Sequence, residues 1–151
     1  MRLVSSMVIL FIGLGIISAA YGHESQPGML DLRQIAENRY EVIWRAPIYY
    51  GKPHPARLEL PEHWQDVAEP TERGLPDSQL FRRIVAVGDE GVEGSILRFH
   101  RLESTITDVF VRLNRLDGSV MTAVARPSKP YVELMEDRSL NTVARDYIGL
   151  G

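Results

Sequence analysis

Four histidines, His23, His54, His63 and His100, hold most of the chemical potential of a chain that has no cysteine. Imidazole suits Cu(II) and Ni(II). His23 is the sharpest metal candidate, because it directly follows a leader-like stretch. As a mature N-terminus it would offer its amine and a ring nitrogen as a chelating pair. Such a site needs a second ligand, for which His54, His63 and His100 are the candidates. Their spacing is irregular, and no pair stands at a metal-binding interval. The competing reading of His23 is a solvated terminal residue beside Glu24. His54 stands between Pro53 and Pro55 and reads as a loop residue. His63 precedes Trp64, and His100 falls on the polar side of its strand, opposite Leu97 and Phe99. These three are expected to be structural or solvated.

A second group is the polar cluster Thr105, Thr107 and Asp108 ahead of a strand. Asp108 has the chemistry of a hard-cation ligand. The cluster fits equally with bonding backbone amides at a strand entry, as Asp and Thr commonly do. Arg126, Lys129 and Tyr131 could meet an anionic partner, or form a proline-stiffened turn with solvated charges. Serine, histidine and aspartate all occur, but no nucleophile elbow, P-loop or H-E-x-x-H motif is present. The carboxylate pairs Asp89-Glu90 and Glu136-Asp137 sit in apparent turns. No enzyme is expected, and no catalytic residue is assigned.

The charge balance is 17 basic against 20 acidic residues, net −3. A mildly acidic chain without a basic block argues against a nucleic-acid partner and against electrostatic docking on anionic lipid. Without cysteine there is no disulfide scaffold, so packing must hold the fold together.

The first 22 residues suggest where such a domain works. Met1 and Arg2 are followed by an apolar run, densest from Val8 to Ile17, and by Ser18, Ala19, Ala20, Tyr21 and Gly22. Small residues at Ala20 and Gly22 fit a signal-peptidase site, leaving His23 first in the mature chain. The alternative is an uncleaved anchor, since Leu3 to Tyr21 approaches the about 20 residues that span a bilayer.

The remaining residues suit one domain made of short strands. Leu30 and Leu32 alternate with Asp31 and Arg33. After a turn at Glu37-Asn38-Arg39, Tyr40, Val42 and Trp44 alternate with Glu41 and Arg45. This period of two is the half-buried strand signal, and the pair reads as a first hairpin. Pro47 to Pro55 reads as a loop, as do residues 70–78. Arg57–Leu60, Ser95–Leu102 and Tyr131–Met135 read as strands, while Gln79–Val87 fits helix or strand, its β-branched Ile84, Val85 and Val87 and the turn at Gly88 to Gly91 favouring strand. Val109, Val111 and Leu113 lead into Asp117-Gly118, a preferred two-residue hairpin turn. That register sets Val111 opposite Val124, and Leu113 opposite Thr122. The fold class expected is all-β, an antiparallel immunoglobulin-like sandwich of about eight short strands. A signal helix precedes it. A short helix follows from Ser139, carried by Leu140, Val143, Ala144, Tyr147 and Ile148. The divisions are 1–22 signal peptide, 23–136 exported β-sandwich domain and 137–151 tail.

Several segments in order resemble one family. They are His23-Glu24, Leu30-Asp31-Leu32-Arg33, Arg39 to Trp44, Thr105 to Arg112, Leu116-Asp117-Gly118 and Arg126 to Pro130. Together they are similar to the exported N-terminal domain of HupE/UreJ-type membrane proteins. The resemblance implies a β-rich periplasmic domain followed by transmembrane helices, with a role in nickel or cobalt uptake for some relatives. The tail Ala144 to Gly151 resembles the lead-in to the first membrane helix. The membrane segments, with their His and Asp residues, do not occur in this sequence. The expected function is therefore a non-catalytic extracytoplasmic domain that assists uptake of nickel, cobalt or another divalent metal. Its expected partner is a membrane-embedded HupE/UreJ-like segment. The alternative is a free-standing secreted copper or nickel module that uses His23.

Overall fold

The computed structural model describes residues 26–135. The leader, His23 and the expected helix after Ser139 lie outside the described residues. Within them the chain is all-β, with eleven strands in two sheets. In order they are β1 (Gly28–Ala36), β2 (Arg39–Tyr49), β3 (Lys52–Pro53), β4 (Arg57–Glu59), β5 (Gln65–Asp66) and β6 (Thr71–Gly74). Then come β7 (Ser78–Ala86), β8 (Ile96–His100), β9 (Val109–Asn114), β10 (Val120–Ala125) and β11 (Tyr131–Glu133). One turn of 3-10 helix, Leu102–Ser104, follows β8.

The large sheet has the order β10-β9-β1-β2-β7-β5, with β3 on β2 and β6 on β7. The small sheet is β11-β8-β4. The expected first hairpin is present, with Leu30 opposite Trp44 and Leu32 opposite Val42. Their alternation puts Leu30, Leu32, Tyr40, Val42 and Trp44 in the core, where they meet Leu97 and Phe99 of β8. Trp44 and Phe99 touch across the sheets, ring centroids 5.4 Å apart and tilted.

Wholly antiparallel pairing does not hold. Gly28 to Arg33 runs parallel to Val109 to Asn114, so the large sheet is mixed. The parallel ladder begins where the Gly28 N–H donates to the Asp108 carbonyl at 2.9 Å. A parallel partner requires a long crossover. Here everything from β2 to the 3-10 turn intervenes between β1 and β9, and no local alternation reveals it.

The β9–β10 register also differs by one residue from the expected one. Val111 stands opposite Ala123, and Leu113 opposite Met121. The loop has three residues, because the Arg115 N–H donates to the Ser119 carbonyl at 3.0 Å. Within it only Gly118 has positive φ, at 84°. This is a turn closed by a left-handed glycine, not the two-residue type in which both central residues are left-handed. Asp117 instead accepts the Ser119 N–H at 2.8 Å.

Two expected loops contain strand. β2 continues through Pro47 to Tyr49 and turns at Tyr50-Gly51, both with positive φ, into β3. Pro47 is tolerated because of its parity. The Ile48 N–H donates to the Asp77 carbonyl, so even-numbered amides of β2 face β7. The donor that Pro47 lacks would point to the other side, where β1 has not begun. Within residues 70–78, Thr71 to Gly74 pairs with β7 across a turn at Pro76-Asp77. All four β6 residues are exposed, so no alternation marks them.

Gly28 carries a packing constraint. A Cβ there would lie 2.5 Å and 2.9 Å from two Trp44 ring carbons and 3.1 Å from a Val109 methyl. Substituting Gly28→Ala should therefore lower the unfolding free energy by about 1–3 kcal/mol, the usual result of overpacking a filled core. Urea unfolding checks this, and unchanged stability would contradict the packing described.

Candidate functional site

The sequence-derived candidates are dispersed. His63 is exposed. His100 is exposed on the outer side of the small sheet and contacts Glu59 of β4. His54 is buried at 8% exposure beside the Tyr49 ring. Its Nδ1 accepts the Ala56 N–H at 3.1 Å, which leaves Nε2 as the protonated nitrogen of the neutral ring. Nε2 has no partner among the described residues. No group of three or more His, Asp and Glu that could hold a metal occurs among the described residues.

The polar cluster acts on the backbone. Thr105 Oγ1 donates to the Leu102 carbonyl at 2.8 Å and accepts the Thr107 N–H at 3.2 Å. It thereby closes the 3-10 turn and aims the chain into β9. Thr107 is buried, and its hydroxyl is unpartnered among the described residues. The Asp108 carboxylate stands 3.9 Å from Arg126, while its carbonyl starts the parallel ladder. Lys129 and Arg98 lie over the Tyr131 ring, at 5.2 Å and 5.8 Å from its centre.

Burial pushes the His54 ring below the ordinary histidine range. In the unfolded chain the ring takes up a proton near pH ~6.5. The folded state resists that proton, so this contribution is complete above the ordinary range and is lost as pH falls through it. Unfolding at pH 7.5 and 5 should show a drop that shrinks in His54→Phe. An identical drop in that variant would contradict the assignment.

The outer face of the large sheet is the feature that sequence reasoning missed. Residues that alternate with the core positions share this face. They include Met29, Asp31 and Arg33 of β1, and Arg39, Glu41, Ile43 and Arg45 of β2. Leu80, Arg82 and Ile84 of β7 continue it on one side, and Phe110 and Arg112 of β9 with Val120 and Val124 of β10 on the other. No part of the small sheet pairs or stacks here, because its core residues pack on the opposite side. Arginines thus outnumber acids on one face of a chain whose net charge is negative. Exposed Phe110 and Val120 lie beside them.

Glu41 organises the centre of this face. It is buried, and it accepts from Arg82 Nε at 2.6 Å, from Arg33 Nε at 3.1 Å, and from Arg33 Nη2. Burial pushes its carboxyl up, and the bonds from Arg82 and Arg33 outweigh that, leaving it below the usual carboxylate range. The same carboxylate ties β1 to β7 across β2. Arg45 is held similarly, with Nε on Ser78 at 2.9 Å and Nη2 on Asp77 at 3.0 Å.

Both arginines of the Glu41 network are half-exposed, so solvent screens it. Replacing Glu41→Ala should lower stability by about 1–2 kcal/mol, above the value of a surface pair and below that of a fully buried one. The contribution is present above the ordinary carboxylate range and fades as pH falls through it. Chemical unfolding across pH 3–7 tests this, and a variant that loses stability equally at both ends would contradict the ionic origin.

A comparison with protein-family models returns no match, and none of the curated proteins matches the chain.

Proposed function

We infer that this chain is a non-catalytic extracytoplasmic docking domain of a HupE/UreJ-like membrane protein. The observation that carries the reading is the outer face of the large sheet, which nothing among the described residues covers and where arginines and exposed apolar side chains lie together. A surface of this composition suits contact with another macromolecular body more than enclosure of a small substrate. Its occupant in this reading is the membrane-embedded segment reached through the tail. The leader pattern of residues 1–22 supports export, and the ordered resemblance of Leu30 to Arg33, Arg39 to Trp44 and Thr105 to Arg112 supports the family. The two sheets with one shared core fit an immunoglobulin-like sandwich, the finer fold class of this reading. Nickel, cobalt or another divalent metal is the cargo of the membrane segment, which this domain assists.

Two measurements test the reading. Alkaline phosphatase fused after Met135 should be active in intact cells, because that enzyme requires export. Activity only of a reporter that works in the cytoplasm would contradict it. Nickel and copper titration of the exported chain should give no binding tighter than a generic histidine peptide. Tight binding abolished by acetylating the His23 amine would replace this reading with a secreted metal module.

A further inference from the structure

The β2–β3 hairpin turns through two residues, Tyr50 and Gly51, because Tyr49 pairs with Lys52. Both turn residues have positive φ, 49° and 72°, the geometry that favours Asn or Asp followed by Gly. A bulky aromatic residue in left-handed backbone is an outlier, and strain of this kind persists where a side chain serves a function. Packing does not account for it. Tyr50 is 78% exposed, the most exposed large apolar side chain among the described residues. Its ring meets the Tyr49 ring edge-on, with centroids 4.7 Å apart. Tyr49 in turn stands edge-on to the buried His54 ring at 5.2 Å, so the turn has a fixed base. The hairpin thus holds out an exposed tyrosine, with exposed Ile48 and Lys52 beside it.

Pairing register places this tip at one end of the molecule. Arg45 lies opposite Met29 near the start of β1, and Tyr50 follows five residues later. At ~3.4 Å per residue, that carries it roughly 17 Å further along the strand. Val109 pairs with both Gly28 and Ala125, and the 3-10 turn after His100 leads towards it. Residues 100–108 and 126–130 therefore gather at the same end. Lys52, Arg57, Arg101 and Lys129 stand there without an ion-pair partner among the described residues. Of the acids at this end, Asp77 holds Arg45, Asp108 stands near Arg126, and Glu103 remains. The opposite end is acidic. The Val87 N–H donates to the Asn38 carbonyl and Arg115 pairs with Glu93, which gathers Glu37, Asp89, Glu90, Glu93 and Asp117. The net charge of −3, which argued against anionic lipid, thus averages two ends of opposite sign.

We propose that the β2–β3 tip docks on a phospholipid surface bearing anionic headgroups, with Tyr50 at headgroup depth and Lys52 at the phosphates. A tyrosine ring has an apolar body and a polar end, which suits the boundary between acyl chains and water. Lysine and arginine within a screening length of an anionic surface are attracted to it. A projecting tip enters a bilayer without a matching pocket, whereas a protein partner would have to supply one. The contact is separate from the outer face of the large sheet and from any metal cargo, so it stands or falls apart from them.

Tryptophan fluorescence of the full chain tests the proposal. The native Trp44 and Trp64 are buried and give a background shielded from lipid. Tyr50→Trp is mixed with vesicles of phosphatidylcholine and phosphatidylglycerol that carry bromine on the acyl chains. Leu116→Trp, on the exposed turn at the acidic end, is the control. Because the comparison is between two sites of one chain, attachment through residues 1–22 does not mimic the result. The expected outcome is quenching of Tyr50→Trp and little of Leu116→Trp. Adding Lys52→Ala should raise the vesicle concentration for half-quenching about fivefold, the value of one basic residue at an anionic surface. Tyr50→Asn should leave the thermal midpoint unchanged or higher, because Asn accepts positive φ more easily. Equal quenching at the two sites, or none at Tyr50→Trp, overturns the proposal. So does quenching that is as strong on phosphatidylcholine alone, or a lowered midpoint in Tyr50→Asn, which would give the ring to the fold.

Discussion

The packing of Trp44 between Gly28 and Phe99 is the constraint on which the rest of the structure depends. The indole covers the position where a β1 side chain would begin, and its other contact is the Phe99 ring of the opposing sheet. It can do so only because β1 opens on a glycine. The same Gly28 donates the hydrogen bond that starts the parallel ladder to β9. One residue thus allows the two sheets to close and the β9–β10 hairpin to join the sheet beside β1. The outer face, with its arginines spread over the neighbouring strands β9, β1, β2 and β7, exists as a surface because that joining is completed.

Alternation in the sequence revealed the parts of the fold whose partners are near. Leu30 and Leu32 against Tyr40, Val42 and Trp44 read correctly as a hairpin, since a tight turn leaves little choice of partner. Strands β8 and β9 were legible from their apolar alternation, and β7 from its β-branched end, Ile84, Val85 and Val87, before the Gly88 to Gly91 turn. The parallel pairing was not, because its partners are separated by most of the domain. The Asp117-Gly118 signal pointed to the right turn but the wrong loop length, and an odd loop moves every cross-strand partner by one. Thr71 to Gly74 was hidden because a strand exposed along its length has no apolar period.

The candidate site was legible in part. Thr105 does bond the backbone at a strand entry, while the Asp108 side chain turns to Arg126. His54 looked like a loop residue between prolines, and its burial was invisible because it depends on Tyr49 and the β2–β3 turn. The arginine-rich face was missed for a different reason. Net charge averages over the molecule, whereas pairing register decides which charges share a side. Arg33, Arg82 and Glu41 are far apart in sequence or of opposite sign, and only the β1-β2-β7 order gathers them. Arginine at such a place combines a fixed charge with planar, directional donors. Glu41 and Asp77 hold the guanidinium groups of Arg33, Arg82 and Arg45 in position without neutralising the face.

The proposed function places this face against a membrane-embedded partner. Hydroxyl-radical footprinting of the full chain in its own membrane fraction addresses it most directly. Phe110 and Met29 lie on the face, and both oxidise readily. Ile106 and Met135 are exposed elsewhere and report general accessibility. Phe110 and Met29 should be protected in membranes relative to the chain released in detergent, with Ile106 and Met135 unchanged. Equal labelling of Phe110 and Met29 in both states would contradict it.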